Sequence, residues 1–285
     1  QSKSILNRCL ILSALTQRAP QYLPSDNQLP NDVLVMKRLL NDNVSNQYDV
    51  EDAGTVFRFL TAYLSIQKGT HRIYGTHKLN ERPIQPLVKA LQTLGCNIES
   101  ELNDGNAPLN IHGTAIQGGD ISLDAGMSSQ FLSALMLIAP MLPNGLRIHL
   151  EKLTSSPYIN ITVECLRWFG AQVSQQANVI EINSGFSNHP KELTIDDIES
   201  DWSSAAFWYS LSAVTGKSFE LQGLKEESVQ GDKASIQLFE RLGVETKFTA
   251  TGIIISKNAS AQNAPEFNLV DCPDIGPALI VACAL

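Results

Sequence analysis

Leu91-Gln-Thr-Leu-Gly-Cys-Asn-Ile98 returns as Leu166-Arg-Trp-Phe-Gly-Ala-Gln-Val173, and again as Phe239-Glu-Arg-Leu-Gly-Val-Glu-Thr246. The glycines Gly95, Gly170 and Gly243 stand 75 and 73 residues apart. Each phrase reads as the end of an amphipathic helix closed by a glycine in the left-handed conformation, where a side chain would clash. Strand-like residues follow, and the third copy runs into Gly252-Ile-Ile-Ile-Ser256. A second phrase, a small-residue helix start before an apolar helix, keeps the same period. It occurs at Asp52-Ala-Gly-Thr55 before Phe59–Leu64, at Gly126-Met-Ser-Ser129 before Phe131–Ile138, and at Asp201-Trp-Ser-Ser204 before Phe207–Val214. A fourth start, Asp274-Ile-Gly276, lies 73 residues after Asp201. Two independent phrases on one period predict a repeated unit.

Each unit reads as helix, strand, helix, glycine, strand, strand. It is too long for a solenoid repeat and too rich in sheet for a bundle. The prediction is an α/β fold of several β–α–β–α–β–β units around a shared core, with the most apolar helices, Phe131–Leu142 above all, buried inside. The polar stretch His189-Pro-Lys-Glu192 suits a linker, which places a boundary near residue 197. Residues 1–197 then form one three-unit domain and 198–285 part of a second. The helix Pro277–Leu285 has no closing glycine, no basic last turn and no strand after it, and Lys3-Ser4 has no strand before it. The reading therefore expects the natural protein to continue beyond both ends.

Hydrophobic residues make up 43% of the 285 and charged residues 18%, the composition of an ordinary folded chain. The net charge of −8 argues against nucleic acid or an anionic membrane as the main partner but leaves room for a local basic pocket. No apolar run reaches the roughly 20 residues of a membrane span. Cys9, Cys96, Cys165, Cys272 and Cys283 form an odd set without C-x-x-C spacing, which reads as reduced thiols of a cytoplasmic protein. The histidines form no catalytic or metal-like set, and no phosphate-binding glycine loop occurs.

The helix starts carry the chemistry. Gly54-Thr55, Ser128-Ser129 and Ser203-Ser204 open buried helices, and Lys3-Ser4 heads another through Leu15. Free N–H groups and the positive dipole end suit anions, although plain N-capping is the alternative for any one of them. Cations stand beside them: Lys3, Arg8, Arg58 and Arg82. Arg58, inside an apolar helix, needs either an anionic ligand or an ion pair with Glu51 or Asp52. Arg82 reads alone as a solvated loop residue, Asp274 either as an N-cap or as a carboxylate at a site.

Lys3-Ser-Ile-Leu-Asn-Arg8, Asp52-Ala-Gly-Thr-Val-Phe-Arg58, Glu81-Arg-Pro-Ile84, Ser128-Ser-Gln-Phe-Leu132, Ser155-Ser-Pro-Tyr158, Gln230-Gly-Asp232 and Pro273-Asp274 occur in this order. In these residues the chain resembles the 5-enolpyruvylshikimate-3-phosphate synthase (3-phosphoshikimate 1-carboxyvinyltransferase) family. The resemblance implies an inside-out α/β barrel of two domains with three similar units each. It also implies transfer of the enolpyruvyl group of phosphoenolpyruvate to the 5-hydroxyl of shikimate 3-phosphate, with release of phosphate, no cofactor and no metal. Carried over by position, Lys3 touches both substrates and assists proton transfer. Ser4, Arg8, Ser128, Ser129 and Ser155 hold shikimate 3-phosphate, with Tyr158 packing nearby, and Gln130 reaches both ligands. Gly54 and Arg82 bind phosphoenolpyruvate, supported by Arg58, and Asp274 accepts the proton of the attacking hydroxyl.

Gln1, Leu6 and Asp52 depart from the family's usual Gly, Ser and Asn, and Asp52 is expected to be paired. The family's second carboxylate and its later basic residues would fall after Leu285. A sister family acts on UDP-N-acetylglucosamine and carries a reactive Cys where Gly75–Ile84 here has none. A chain that binds shikimate 3-phosphate without catalysis is the other alternative. The expected partners are the two small substrates, in a monomer, with neither nucleic acid nor membrane.

Overall fold

The computed structural model describes residues 1–285 apart from 43–44, 103, 124–127, 151–156, 177 and 259–265. The chain divides into a larger unit, Lys3–Thr154 with Ile161–Ile195, and a smaller one, Gln1–Ser2, Ser155–Asn160 and Asp196–Leu285.

The larger unit opens with helices α1 (Lys3–Thr16) and α2 (Asn31–Asn41). One repeat follows: β1 (Gln47–Asp49), α3 (Gly54–Ser65), β2 (Gly69–Tyr74), the short α4 (His77–Asn80), α5 (Gln85–Thr93), β3 (Asn97–Ser100) and β4 (Leu109–Gly113). The next repeat is β5 (Gly119–Leu123), α6 (Ser129–Ile138), β6 (Leu146–Leu150), α7 (Pro157–Trp168), β7 (Val173–Gln176) and β8 (Val179–Ile182), the first turn of α7 grouping with the smaller unit. In both repeats the first two strands pair in parallel and the rest antiparallel, giving orders β1-β2-β4-β3 and β5-β6-β8-β7. Identical strand order in two copies is the period of the sequence made visible.

Its core is helical. α1 is buried from Ile5 to Ser13, α6 from Phe131 to Ile138, and α3 buries Phe57, Phe59, Leu60 and Leu64. A helix apolar all round is stable only where neighbours cover every face, and α1, α3 and α6 pack against one another. Each fully buried Leu, Ile or Phe contributes about 1.5–3 kcal/mol.

The smaller unit holds α8 (Trp202–Thr215), β9 (Phe219–Gln222), α9 (Ser235–Glu240), β10 (Val244–Phe248), β11 (Gly252–Lys257) and α10 (Gly276–Ala284). Its antiparallel order β9-β11-β10 repeats β2-β4-β3, but among the described residues no parallel strand precedes α8. The third copy is thus shorter at its front than the sequence period suggests. Trp202, Tyr209, Phe239, Val244, Ile253, Ile255 and Leu279 form its core. Phe207, Trp208, Leu211 and Val214 make an exposed apolar stripe on α8, and Ile280 and Val281 are exposed on α10.

Gly95, Gly170 and Gly243 have φ of +99°, +90° and +83° and follow α5, α7 and α9, as the repeated phrase requires. No helix among the described residues is long and apolar enough to cross a membrane.

Candidate active site

α3 begins at Gly54 behind Ala53, whose side chain cannot cap it, so the first N–H groups keep their positive end open. Two guanidinium groups converge on this tip. A Cβ on Gly54 would lie 2.8 Å from Arg58 Nη1 and 2.9 Å from Arg82 Nη1, so only glycine leaves both in place. Arg58 Nη1 donates to Gly54 O at 3.0 Å and to Gln130 Oε1 at 2.9 Å, and its guanidinium lies over the Phe131 ring at 5.3 Å. Burial, and then the Arg82 charge, lower the pKa of Arg58. Neither arginine has an ion pair among the described residues. Like charges gathered without a counterion are unfavourable until an anion joins them.

The ion-pair reading of Arg58 is therefore corrected. Glu51 pairs instead with Arg38 at 2.9 Å, and exposed Asp52 accepts the Thr76 hydroxyl. The cause is local: Glu51 sits at φ +54° and its carbonyl accepts Thr76 N–H at 3.0 Å, which ties this turn to the end of β2. Asp52 is hydrogen-bonded as expected, but to a neutral partner. Arg82 is exposed on the loop between α4 and α5 and still meets Arg58 at Gly54.

The tip of α6 adjoins this pocket through Gln130. Exposed Ser128 is the N-cap of α6, accepting Gln130 N–H at 3.3 Å, with Ser129 next. Lys3 is exposed and Ser4 half-buried in the first turn of α1. Arg8 is only 2% exposed: its Nε donates to Thr162 Oγ1 at 2.7 Å, Nη1 to Ser4 O at 2.7 Å and Nη2 to Ser133 Oγ at 3.1 Å. Arg8 thus braces the turn that carries Lys3 and Ser4. Gly126 and Ser155 lie outside the described residues.

In the smaller unit, Asp274 lies in a short 3₁₀ turn ahead of α10 and makes no cap bond to that helix. Its Oδ2 accepts the hydroxyl of half-buried Tyr158. The tip of α8, grouped with the anion-binding starts by its Ser203-Ser204, is occupied by the protein's own carboxylates. Asp201 accepts Ser204 N–H at 2.9 Å, and Asp232 accepts the Ser203 hydroxyl. Burial pushes the Asp232 carboxyl up to about 6, with the charges of Asp274 and Asp201 adding and the Ser203 bond opposing. At this tip the capping reading holds. Among the described residues no group of three His, Cys, Asp or Glu could hold a metal ion.

Nothing in the sequence assigns a task to Gln230-Gly-Asp232. Gln230 is 6% exposed and its amide group joins Ser2, Trp202 and Ser200. A polar side chain between apolar helix starts was the only signal of this in the sequence.

A family model described as EPSP synthase (3-phosphoshikimate 1-carboxyvinyltransferase) matches residues 27–285. The 3-phosphoshikimate 1-carboxyvinyltransferase of Bacteroides fragilis is 41% identical over 286 aligned positions, which cover 100% of this chain and 68% of that protein. That of Methanospirillum hungatei is 31% identical over 245 positions, covering 84% of this chain and 56% of the relative. The solved EPSP synthase of Acinetobacter baumannii shares the fold, with a TM-score of 0.74 at 20% identity over 99% of this chain and 69% of that one. Sequence period, strand order and these matches agree: the chain belongs to the EPSP synthase (3-phosphoshikimate 1-carboxyvinyltransferase) family.

Proposed function

We propose that the chain transfers the enolpyruvyl group of phosphoenolpyruvate to the 5-hydroxyl of shikimate 3-phosphate, releasing phosphate, as a step of the shikimate pathway towards aromatic amino acids. The observation that carries the reading is the Arg58–Arg82 pair at the open tip of α3, without a carboxylate partner among the described residues. Phosphoenolpyruvate supplies the missing negative charge. Its anionic groups take Arg82, the Gly54 helix tip, Lys3 and Gln130, and Arg58 supports Gln130 from behind. Shikimate 3-phosphate takes Lys3, Ser4, Ser128, Ser129 and Ser155, and Arg8 acts by bracing Ser4.

Asp274 accepts the proton of the 5-hydroxyl as its oxygen adds to the enolpyruvyl carbon, and Tyr158 holds that carboxylate. As the C–O bond forms, the methylene carbon takes up a proton, with Lys3 assisting the transfer, which gives a tetrahedral intermediate bearing a methyl group. Loss of one methyl proton together with phosphate restores the double bond and completes the transfer. Most of the rate enhancement then comes from holding polyanions in fixed contact with preorganised cations. The step as proposed uses no cofactor. A monomer in the cytoplasm, with no nucleic-acid partner, fits the net charge of −8 and the free thiols of Cys9, Cys96, Cys165, Cys272 and Cys283.

Arg82→Ala tests the reading. Arg82 is exposed and packs little, so melting should stay near native while phosphoenolpyruvate affinity, measured calorimetrically with shikimate 3-phosphate present, falls about 10²-fold or more. Native affinity in the variant would refute the pocket. Binding of both substrates without phosphate release would leave a ligand-binding module in place of an enzyme.

A further inference from the structure

The Gln230-Gly231-Asp232 turn takes no part in the chemistry just proposed, yet it is pinned on both flanks. Gln230 Oε1 accepts from Ser2 Oγ at 2.9 Å and from Trp202 N at 3.2 Å, while Nε2 donates to Ser200 O at 2.8 Å. Its own N–H donates to Ser228 Oγ at 3.0 Å. Asp232, 5% exposed, accepts from Ser203 with its carboxylate and from Ser235 Oγ, at 2.8 Å, with its carbonyl. Breaking such buried bonds leaves polar groups unsatisfied. The turn does not yield easily.

Between these flanks, Gly231 is approached more closely than any side chain allows. A Cβ there would lie 2.4 Å from both Cβ and Cγ of Pro157 and 3.1 Å from Asp271 O. The proline ring is rigid and cannot swing away. Pro157 directly precedes Tyr158, and Asp271 stands three residues before Asp274. The two segments resting on Gly231 are therefore the two that carry the hydroxyl and the carboxylate of the Tyr158–Asp274 hydrogen bond. That bond uses Asp274 Oδ2, and among the described residues no donor reaches Oδ1, which suits it to a substrate hydroxyl.

We propose that Gly231 is a positioning residue for the proton-accepting carboxylate: by lacking a side chain it lets Pro157 and the Asp271 carbonyl rest on one pinned turn, and this holds the Tyr158 hydroxyl on Asp274. The inference rests on the role given to Asp274 above. It explains why the turn needs Gln and Asp as anchors and Gly as the contact surface.

The test compares Gly231→Ala, Tyr158→Phe, their combination and Asp274→Asn in the full chain, by phosphate release with thermal melting alongside. Displacing a reacting group by about 1 Å costs on the order of 10²-fold, so Gly231→Ala should lose about that in kcat while KM for phosphoenolpyruvate changes little. Because both changes break the same contact, Tyr158→Phe should cost much less on top of Gly231→Ala than alone. Should Gly231→Ala fail to fold, Pro157→Ala serves, since it withdraws the ring without adding an atom and should lower kcat in the same way. Near-native kcat in these variants, or losses that multiply fully, with Asp274→Asn inactive, would overturn the positioning role alone. Full turnover by Asp274→Asn would overturn the role of Asp274 and this inference together.

Discussion

Gly54 shows what one missing side chain can do. Its backbone needs no glycine, since its φ lies outside the left-handed range, and alanine is a good residue in a first helical turn. The need comes from the guanidinium groups at 2.8 and 2.9 Å from where a Cβ would stand. Gly54→Ala is therefore expected to fold and to melt near native, yet to weaken phosphoenolpyruvate binding far more than shikimate 3-phosphate binding. Equal weakening of both ligands in calorimetry would contradict this. Asp232 makes a different prediction. Its pKa in the folded chain, about 6, lies above the unfolded carboxylate value. The folded state therefore binds the proton more tightly, and stability is fully present at acid pH and falls as pH rises towards and through 6. Asp232→Asn keeps an acceptor for Ser203 without the charge. It should melt a few degrees higher than the native protein near pH 8, and the gain should vanish near pH 4. A gain of the same size at both pH values would rule out titration as its cause.

At the scale of elements, helix ends were the most legible part of the sequence. The repeated Leu-Gly and Phe-Gly endings mark helices that close on left-handed glycines, and Asp201 and Ser128 cap α8 and α6 as small polar starts do. Asp201→Ala should cost about 1 kcal/mol of stability in denaturant unfolding, and a neutral result would remove the cap from the account. Partner choice was not legible. Glu51 and Asp52 stand seven and six residues before Arg58 in the chain, yet a single left-handed residue and one Thr76 bond give them to Arg38 and Thr76. Ser203-Ser204 looks like Ser128-Ser129 in sequence, and only the fold brings Asp232 to its tip. Such pairings depend on contacts distant in sequence, which composition and spacing do not encode. The task of Gly231 was hidden for the same reason: its neighbours lie 74 residues before it and 40 after it.

For the whole molecule, the period of 73 to 75 residues predicted the repeated unit, and strand orders β1-β2-β4-β3, β5-β6-β8-β7 and β9-β11-β10 display it. The proposed reaction uses a cationic helix tip and a carboxylate held by a tyrosine. Each contributes only if two anionic substrates are consumed together. The most direct measurement is phosphate release by the full chain with phosphoenolpyruvate, shikimate 3-phosphate, or both. Release is expected only with both present, in step with loss of phosphoenolpyruvate. Release from phosphoenolpyruvate alone, or none with both substrates bound, would contradict it.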